Sequence, residues 1–223
     1  MSLTYDQLKT EVAAYLKRDD LTSQIPNFIT MGENELNRRL DLVQMEEATS
    51  FTLGAAASTV AFSSISAACV AVLKLWKVVN GVVEELVYLE PLQFLQQRAV
   101  AANTGQPNYW TVQGGAIVQF DRVADQAYTI HALIRKKFAV ATDYATNWVA
   151  LNAQDAYVFA SLLQAEPFIK NDKRIGTWRA MLESVILQLE EADTKFRASR
   201  NTILIPDAAG VVGARGHYNI NAG

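Results

Sequence analysis

The chain has 223 residues, a net charge of −3 and one cysteine, Cys69. This length suits one domain with an elaboration or two small domains, and a single cysteine excludes an intrachain disulfide. The charge balance disfavours a dedicated nucleic-acid binder, and no apolar run approaches the roughly 18 residues of a membrane span, so we expect a soluble protein.

Two amphipathic helices are predicted at the start of the chain. Thr4 and Gln7 have the spacing of a capping box, and apolar residues then recur at helical spacing over residues 8–16. Ser23 is the predicted N-cap of the second helix, which tolerates Pro26 in its first turn and carries an apolar stripe that ends at Leu40. This polar start lacks the basic and apolar regions of a signal peptide, so we expect no export signal.

The middle of the chain is predicted to be rich in β-strands. Residues 69–89 alternate around Asn80-Gly81, a dipeptide typical of a type I′ hairpin turn, and residues 109–120 form a second hairpin at Gly114-Gly115. A short helix is predicted over residues 90–102 and a further strand over residues 128–134. Cys69 is interpreted as a small apolar residue in a strand.

The helical period returns after Asn147. Residues 153–168 and 175–196 carry apolar stripes, and the segment "EPFIKND" separates them. Pro167 cannot continue a helix without losing a hydrogen bond, and Asn171 or Asp172 could cap the next one. We interpret the segment as a helix corner rather than as an acid–base pair of Glu166 and Asp172, because nothing nearby in the sequence supplies a partner base.

The order of these elements predicts an α+β fold. Helices at both ends, with strands only between them, favour an antiparallel helical bundle formed by the N- and C-terminal halves. Residues 1–44 and 147–198 are assigned to the bundle, residues 45–146 to an inserted β-rich module of antiparallel hairpins, and residues 199–223 to a flexible, extended C-terminal tail.

No pattern in the sequence is typical of a catalytic, cofactor or metal site. His131, His217 and Cys69 are distant in sequence, and no Walker A, G-x-S-x-G or G-x-G-x-x-G motif occurs. We therefore predict a protein that is not an enzyme and binds no cofactor. We interpret three acidic pairs as solvated ends of elements: Asp19-Asp20, Glu46-Glu47 and Glu84-Glu85. We interpret three tryptophans as core anchors: Trp110, Trp148 and Trp178.

Several motifs occur in the order found in the head-to-tail adaptor (connector) proteins of tailed bacteriophages, which the chain resembles. They are R-D-D-L at residues 18–21, I-P-x-F-I at 25–29, E-x-x-x-N-R-x-L at 33–40, T-N-W at 146–148 and P-F-I-K-x-D-x-R at 167–174. The resemblance spans roughly residues 4–198. Residues 54–68 lack the proline-marked step of the family, and the tail matches no family pattern.

This resemblance implies a structural role in virus assembly. The implied state is a ring of about twelve copies, closed by contacts between neighbouring adaptors. The ring would bind the portal protein and tail or nozzle proteins at the head–tail interface of the virion. Double-stranded DNA would pass through without sequence-specific binding, no membrane is involved, and synthesis takes place in the host cytoplasm. A monomeric interaction or tail-assembly module and a virion-associated enzyme with an unrecognised site stay open as alternatives.

The tail is a candidate docking arm for the portal or a neighbouring adaptor. Its sequence places an apolar triplet before a proline and polar and aromatic residues further on. Such a segment buries too little apolar surface to be ordered alone, but could add to a strand edge of a partner. An end without a role is the alternative. The candidate docking residues are Ile203, Leu204, Ile205, Arg215, His217 and Tyr218.

Overall fold

The computed structural model describes residues 4–79, 81–100, 104–143, 145–169 and 173–201. The α-helices are α1 (Tyr5–Leu16), α2 (Ile25–Arg39), α3 (Phe62–Ile65), α4 (Pro91–Val100), α5 (Val140–Asp143), α6 (Trp148–Asn152), α7 (Gln154–Gln164), α8 (Glu166–Ile169) and α9 (Ile175–Asn201). The strands are β1 (Glu46–Leu53), β2 (Thr59–Ala61), β3 (Cys69–Val79), β4 (Val82–Tyr88), β5 (Tyr109–Gln113), β6 (Ile117–Phe120) and β7 (Tyr128–Lys136).

The seven strands form one mixed sheet in the order β1-β7-β3-β4-β5-β6-β2. All neighbours are antiparallel except β4 and β5, which pair in parallel at Val87 and Tyr88. The two edge strands, β1 and β2, follow each other in the chain and both contact α3. The sheet therefore curls into a nearly closed barrel. Its inward side chains form a hydrophobic core that includes Leu53, Leu75, Leu86, Trp110, Val118, Phe120, Ile130 and Ile134.

The predicted fold class is wrong in its account of the β region. The protein is α+β, but it is not a helical bundle with an inserted module of hairpins, because the strands form a nearly closed seven-stranded barrel with a core of its own. The barrel depends on β7, which pairs with β1 on one side and with β3 on the other. These pairings join strands that are distant in sequence, and local alternation does not encode them.

Helices from both ends of the chain share a second hydrophobic core. It contains apolar side chains of α1, α2, α6, α7 and α9, with Tyr157 and Phe28 among the largest that are fully buried. Gly32 lies where α2 crosses α7, and a Cβ at this position would come within 2.8 Å of the Ser161 backbone nitrogen. Glycine therefore permits a closer approach of these two helices than any other residue would.

The helix-start signals have mixed outcomes. The capping box is confirmed, since Thr4 Oγ1 accepts from the Gln7 N–H and Gln7 Oε1 accepts from the Thr4 N–H. Ser23 is not an N-cap, because it lies inside a 3-10 turn and α2 begins at Ile25. Pro26 occupies the first turn of α2, where the backbone N–H groups have no helical partner.

The corner segment contains one short helix between two longer ones. Helix α7 ends at Gln164, α8 spans a single turn with Pro167 near its start, and α9 begins at Ile175. The Glu166 carboxylate lies 3.6 Å from the Arg179 guanidinium of α9. Asn171 and Asp172 lie outside the described residues, so the predicted cap stays a prediction.

Candidate interaction surfaces

Polar side chains of α2 bind the chain where it returns from the barrel to the helices. Asn37 Oδ1 accepts from the Phe138 N–H at 2.8 Å, and Asn37 Nδ2 donates to the Phe138 carbonyl at 3.0 Å. Glu33 Oε1 accepts from the Val140 N–H at 2.5 Å and from the Tyr157 hydroxyl at 3.0 Å. Asn147 donates to the same hydroxyl at 2.7 Å. One network therefore joins α2, α7 and the start of α6.

The connection from α2 into the barrel is held in a similar way by α9. Asp193 Oδ1 accepts from the Val43 N–H at 2.7 Å, and Arg197 donates to Asp193 at 2.5 Å and to the Asp41 carbonyl at 2.8 Å. Arg135 of β7 pairs with the Asp41 carboxylate. Side chains from distant parts of the sequence therefore hold both chain segments that connect the helices to the barrel.

The arginine of the corner motif has a structural role that the sequence did not reveal. Arg174 donates to the Tyr15 carbonyl at 2.8 Å, at the end of α1 where carbonyl groups lack helical partners. Its guanidinium also lies 4.9 Å from the ring centre of Trp178. Glu183 pairs with Arg39, and this hydrogen bond lowers the pKa of the Glu183 carboxyl.

The residues considered for chemistry do not form a common site. His131 stacks on Trp76 with ring centres 5.7 Å apart, and Cys69 is half-buried at the start of β3, where desolvation raises the pKa of its thiol. Within the described ranges, no group of three or more His, Cys, Asp or Glu side chains is placed to hold a metal. Trp110 and Trp178 are confirmed as buried core residues.

The candidate tail residues cannot be placed in the fold. All six lie outside the described residues: Ile203, Leu204, Ile205, Arg215, His217 and Tyr218.

Of the helices that the structure describes, none is both long and apolar enough to cross a membrane.

The tip of the β3–β4 hairpin, residues 78–83, exposes valines on both faces. Val78 pairs with Val83 on one face and Val79 with Val82 on the other. Val78, Val82 and Val83 are 49%, 61% and 65% exposed. Helix α4, which follows the other end of β4, separately exposes Leu92 and Leu95. Neighbouring exposed apolar side chains such as these are typical of a protein–protein contact.

A groove opens on the helical part of the molecule between α1, α6 and α7. Its volume is about 350 Å³, and the Tyr15 and Phe159 rings that line it meet edge to face at 6.3 Å. Glu11 and Asp155 give the groove an acidic lining, and no lysine or arginine lines it among the described residues. The lining residues are Glu11, Tyr15, Leu151, Asn152, Gln154, Asp155, Val158 and Phe159.

The last two turns of α9 extend beyond the helical core. Asp193 is the last residue of α9 that is buried among those whose burial is described, and residues 194–201 add roughly 12 Å of helix after it at 1.5 Å per residue. This segment, called the α9 end below, contains Lys195, Arg197 and Arg200 and no acidic residue. Phe196 within it is 46% exposed.

A protein-family model matches nearly the whole chain. The family is described as SU10 adaptor protein, and the match covers residues 3–204, which include both hydrophobic cores and the two connections between them. No curated protein matches the chain.

Proposed function

The chain belongs to the SU10 adaptor protein family, a family of bacteriophage structural adaptors, and on this premise we propose that it forms a ring connecting the portal to the tail. The family match over residues 3–204 is the observation that carries the proposal. The exposed apolar hairpin tip and α4 support it, because an assembly subunit needs surfaces that only its partners cover.

A ring of identical subunits requires two different faces on each copy. One face meets the other face of the next copy, and the rotation between copies must close the circle. The groove between α1, α6 and α7 is acidic and the α9 end is basic, so the chain carries two dissimilar surfaces. The net charge of −3 supports passage of DNA through the ring without retention, since binding to phosphates depends on a basic excess.

Purified protein mixed with the portal protein of its phage should form a ring-shaped complex of about twelve copies, as closed cyclic symmetry allows. Sedimentation measures the association and electron microscopy shows the ring. A portal protein from an unrelated phage serves as the control and should not bind. Failure to sediment with the cognate portal at micromolar concentration and moderate salt would contradict the proposed function.

Residues 202–223, which follow α9 in the sequence, are proposed to dock on the portal or on a neighbouring copy. Deleting residues 202–223 should leave the melting temperature unchanged, because it removes none of the side chains of the two described cores. The deletion should weaken attachment to the portal, since the Ile203–Ile205 triplet is lost as a strand that could add to a partner's edge.

The control for this deletion replaces residues 202–223 with a glycine–serine segment of equal length, which keeps the length but removes the apolar triplet. Both variants should sediment with the portal less than the full chain does. Equal loading of the truncated and full-length proteins would show that the segment is not a docking arm.

A further inference from the structure

We infer that the α9 end of one copy binds the acidic groove between α1, α6 and α7 of the next copy in the ring. The inference rests on the proposed function and names the contact that would join neighbouring subunits. It brings Lys195 and Phe196 of one copy against Glu11, Asp155 and the aromatic side chains of the other.

Charge complementarity supports this pairing. Among the described residues that line the groove, Glu11 and Asp155 are acidic and none is basic, whereas the α9 end contains three basic residues and no acidic one. Arg197 already bonds to Asp193 and Asp41, so we assign the contact with the groove to Lys195, which is exposed. The helix dipole places a partial charge of about −0.5 at the C-terminus of a helix. This partial charge is smaller than the positive charge of the side chains of the α9 end, so the segment stays positive.

The shapes of the two surfaces also agree. The groove volume of about 350 Å³ lies near the lower end of the roughly 300–1,000 Å³ range of ligand pockets, which suits a protruding side chain. Phe196 is half-exposed, and the Tyr15 and Phe159 rings of the groove could contact it edge to face. An aromatic side chain beside a cation therefore matches a groove of aromatic and acidic side chains.

The α9 end of a neighbouring copy fits the acidic groove better than the hairpin tip of that copy does. Lys77 and Lys74 pair with Glu84 and Glu85 next to the hairpin valines, so the tip offers no excess of positive charge to the acidic groove. Within one chain, Asp193 and Arg197 tie this part of α9 to the connection between α2 and β1. None of the residues of that connection lines the groove, so the occupant comes from a second copy.

Cross-linking between two differently labelled copies tests the contact. Cys69→Ser removes the natural thiol, and Glu11→Cys protein is then mixed with Lys195→Cys protein, with portal present, and treated with a bis-maleimide. A product of twice the subunit mass is expected from this pair. The matched control replaces Lys195→Cys with Leu187→Cys, an exposed position earlier in the same helix. Equal yields for the two pairs, or no product while rings form, would overturn the inference.

Charge reversal gives an independent readout. Glu11→Lys and Lys195→Glu should each weaken ring formation by about tenfold, because each places like charges together across the contact. The double variant should recover most of the loss, while melting temperatures of the subunits stay near that of wild type.

The outcomes separate the inference from the proposed function. If wild type forms rings with the portal and both single variants do so equally well, the groove contact is wrong and the proposed function stands. If wild type neither forms rings nor binds the portal, both are wrong. Weakening by the single variants without recovery in the double variant would also contradict the direct pairing.

Discussion

Replacing Trp178 with alanine is expected to lower the free energy of unfolding by about 3–5 kcal/mol. Trp178 is 4% exposed in the helical core, so truncation removes buried apolar surface and leaves a cavity beside α9. The change also removes the ring over which the Arg174 guanidinium lies. Urea denaturation followed by far-ultraviolet circular dichroism measures the loss without depending on tryptophan fluorescence.

Trp76→Ala is the matched control, because it deletes the same side chain from a different environment. Trp76 is half-buried on the outer face of β3, where it stacks on His131 rather than packing in a core. Its loss should cost less than half as much as that of Trp178, since less apolar area leaves water in the folded state. Equal denaturation midpoints for Trp178→Ala and wild type would refute the burial of Trp178.

Features encoded within a few residues were predictable from the sequence. The capping box needs only Thr4 and Gln7, and both side chains make the expected bonds. The turn at Gly114-Gly115 needs two residues with positive φ, and both glycines have it, with φ of 57° and 71°. The motifs in the two helical segments also indicated the adaptor family that the match over residues 3–204 shows.

The barrel could not be predicted because its closure depends on pairings across the sequence. The alternation of β1 and β7 marks each as a strand but does not say that Glu46 lies opposite Arg135. In residues 54–68, Val60 and Phe62 alternate with small or polar residues, but the surrounding alanine and serine side chains give no further periodic signal. The structure nevertheless forms β2 and α3 there, with Phe62 and Ile65 buried in the barrel core.

The polar contacts between the two cores were also invisible to a local reading. Glu33 lies off the apolar stripe of α2, as a solvated charge would, yet Glu33 and Asn37 bind backbone more than 100 residues away. The predicted apolar stripe of α9 includes two exposed residues. Phe196 is exposed because spacing alone does not reveal where the neighbouring helices end, and Met181 is exposed although it lies between the buried Trp178 and Leu182.

Gly32→Ala is expected to lower the free energy of unfolding by about 1–3 kcal/mol, as overpacking of a close contact does. The new Cβ would lie 2.8 Å from the Ser161 nitrogen and 2.9 Å from the Ala160 carbonyl carbon, and these backbone atoms cannot rotate away. Helices α2 and α7 would have to separate, which also stretches the neighbouring hydrogen bond between Glu33 and Tyr157. Urea denaturation again gives the measurement.

Gly176→Ala is the matched control for this prediction. It adds the same Cβ to α9, at a position where no atom lies within 4 Å of it. Alanine is intrinsically better than glycine inside a helix by up to about 1 kcal/mol, so this variant should be as stable as wild type or slightly more stable. The same intrinsic gain acts at Gly32 and is outweighed only if α2 and α7 are in backbone contact. Opposite signs for the two substitutions are therefore the expected result, and a Gly32→Ala variant as stable as Gly176→Ala would show that the two helices do not cross at this distance.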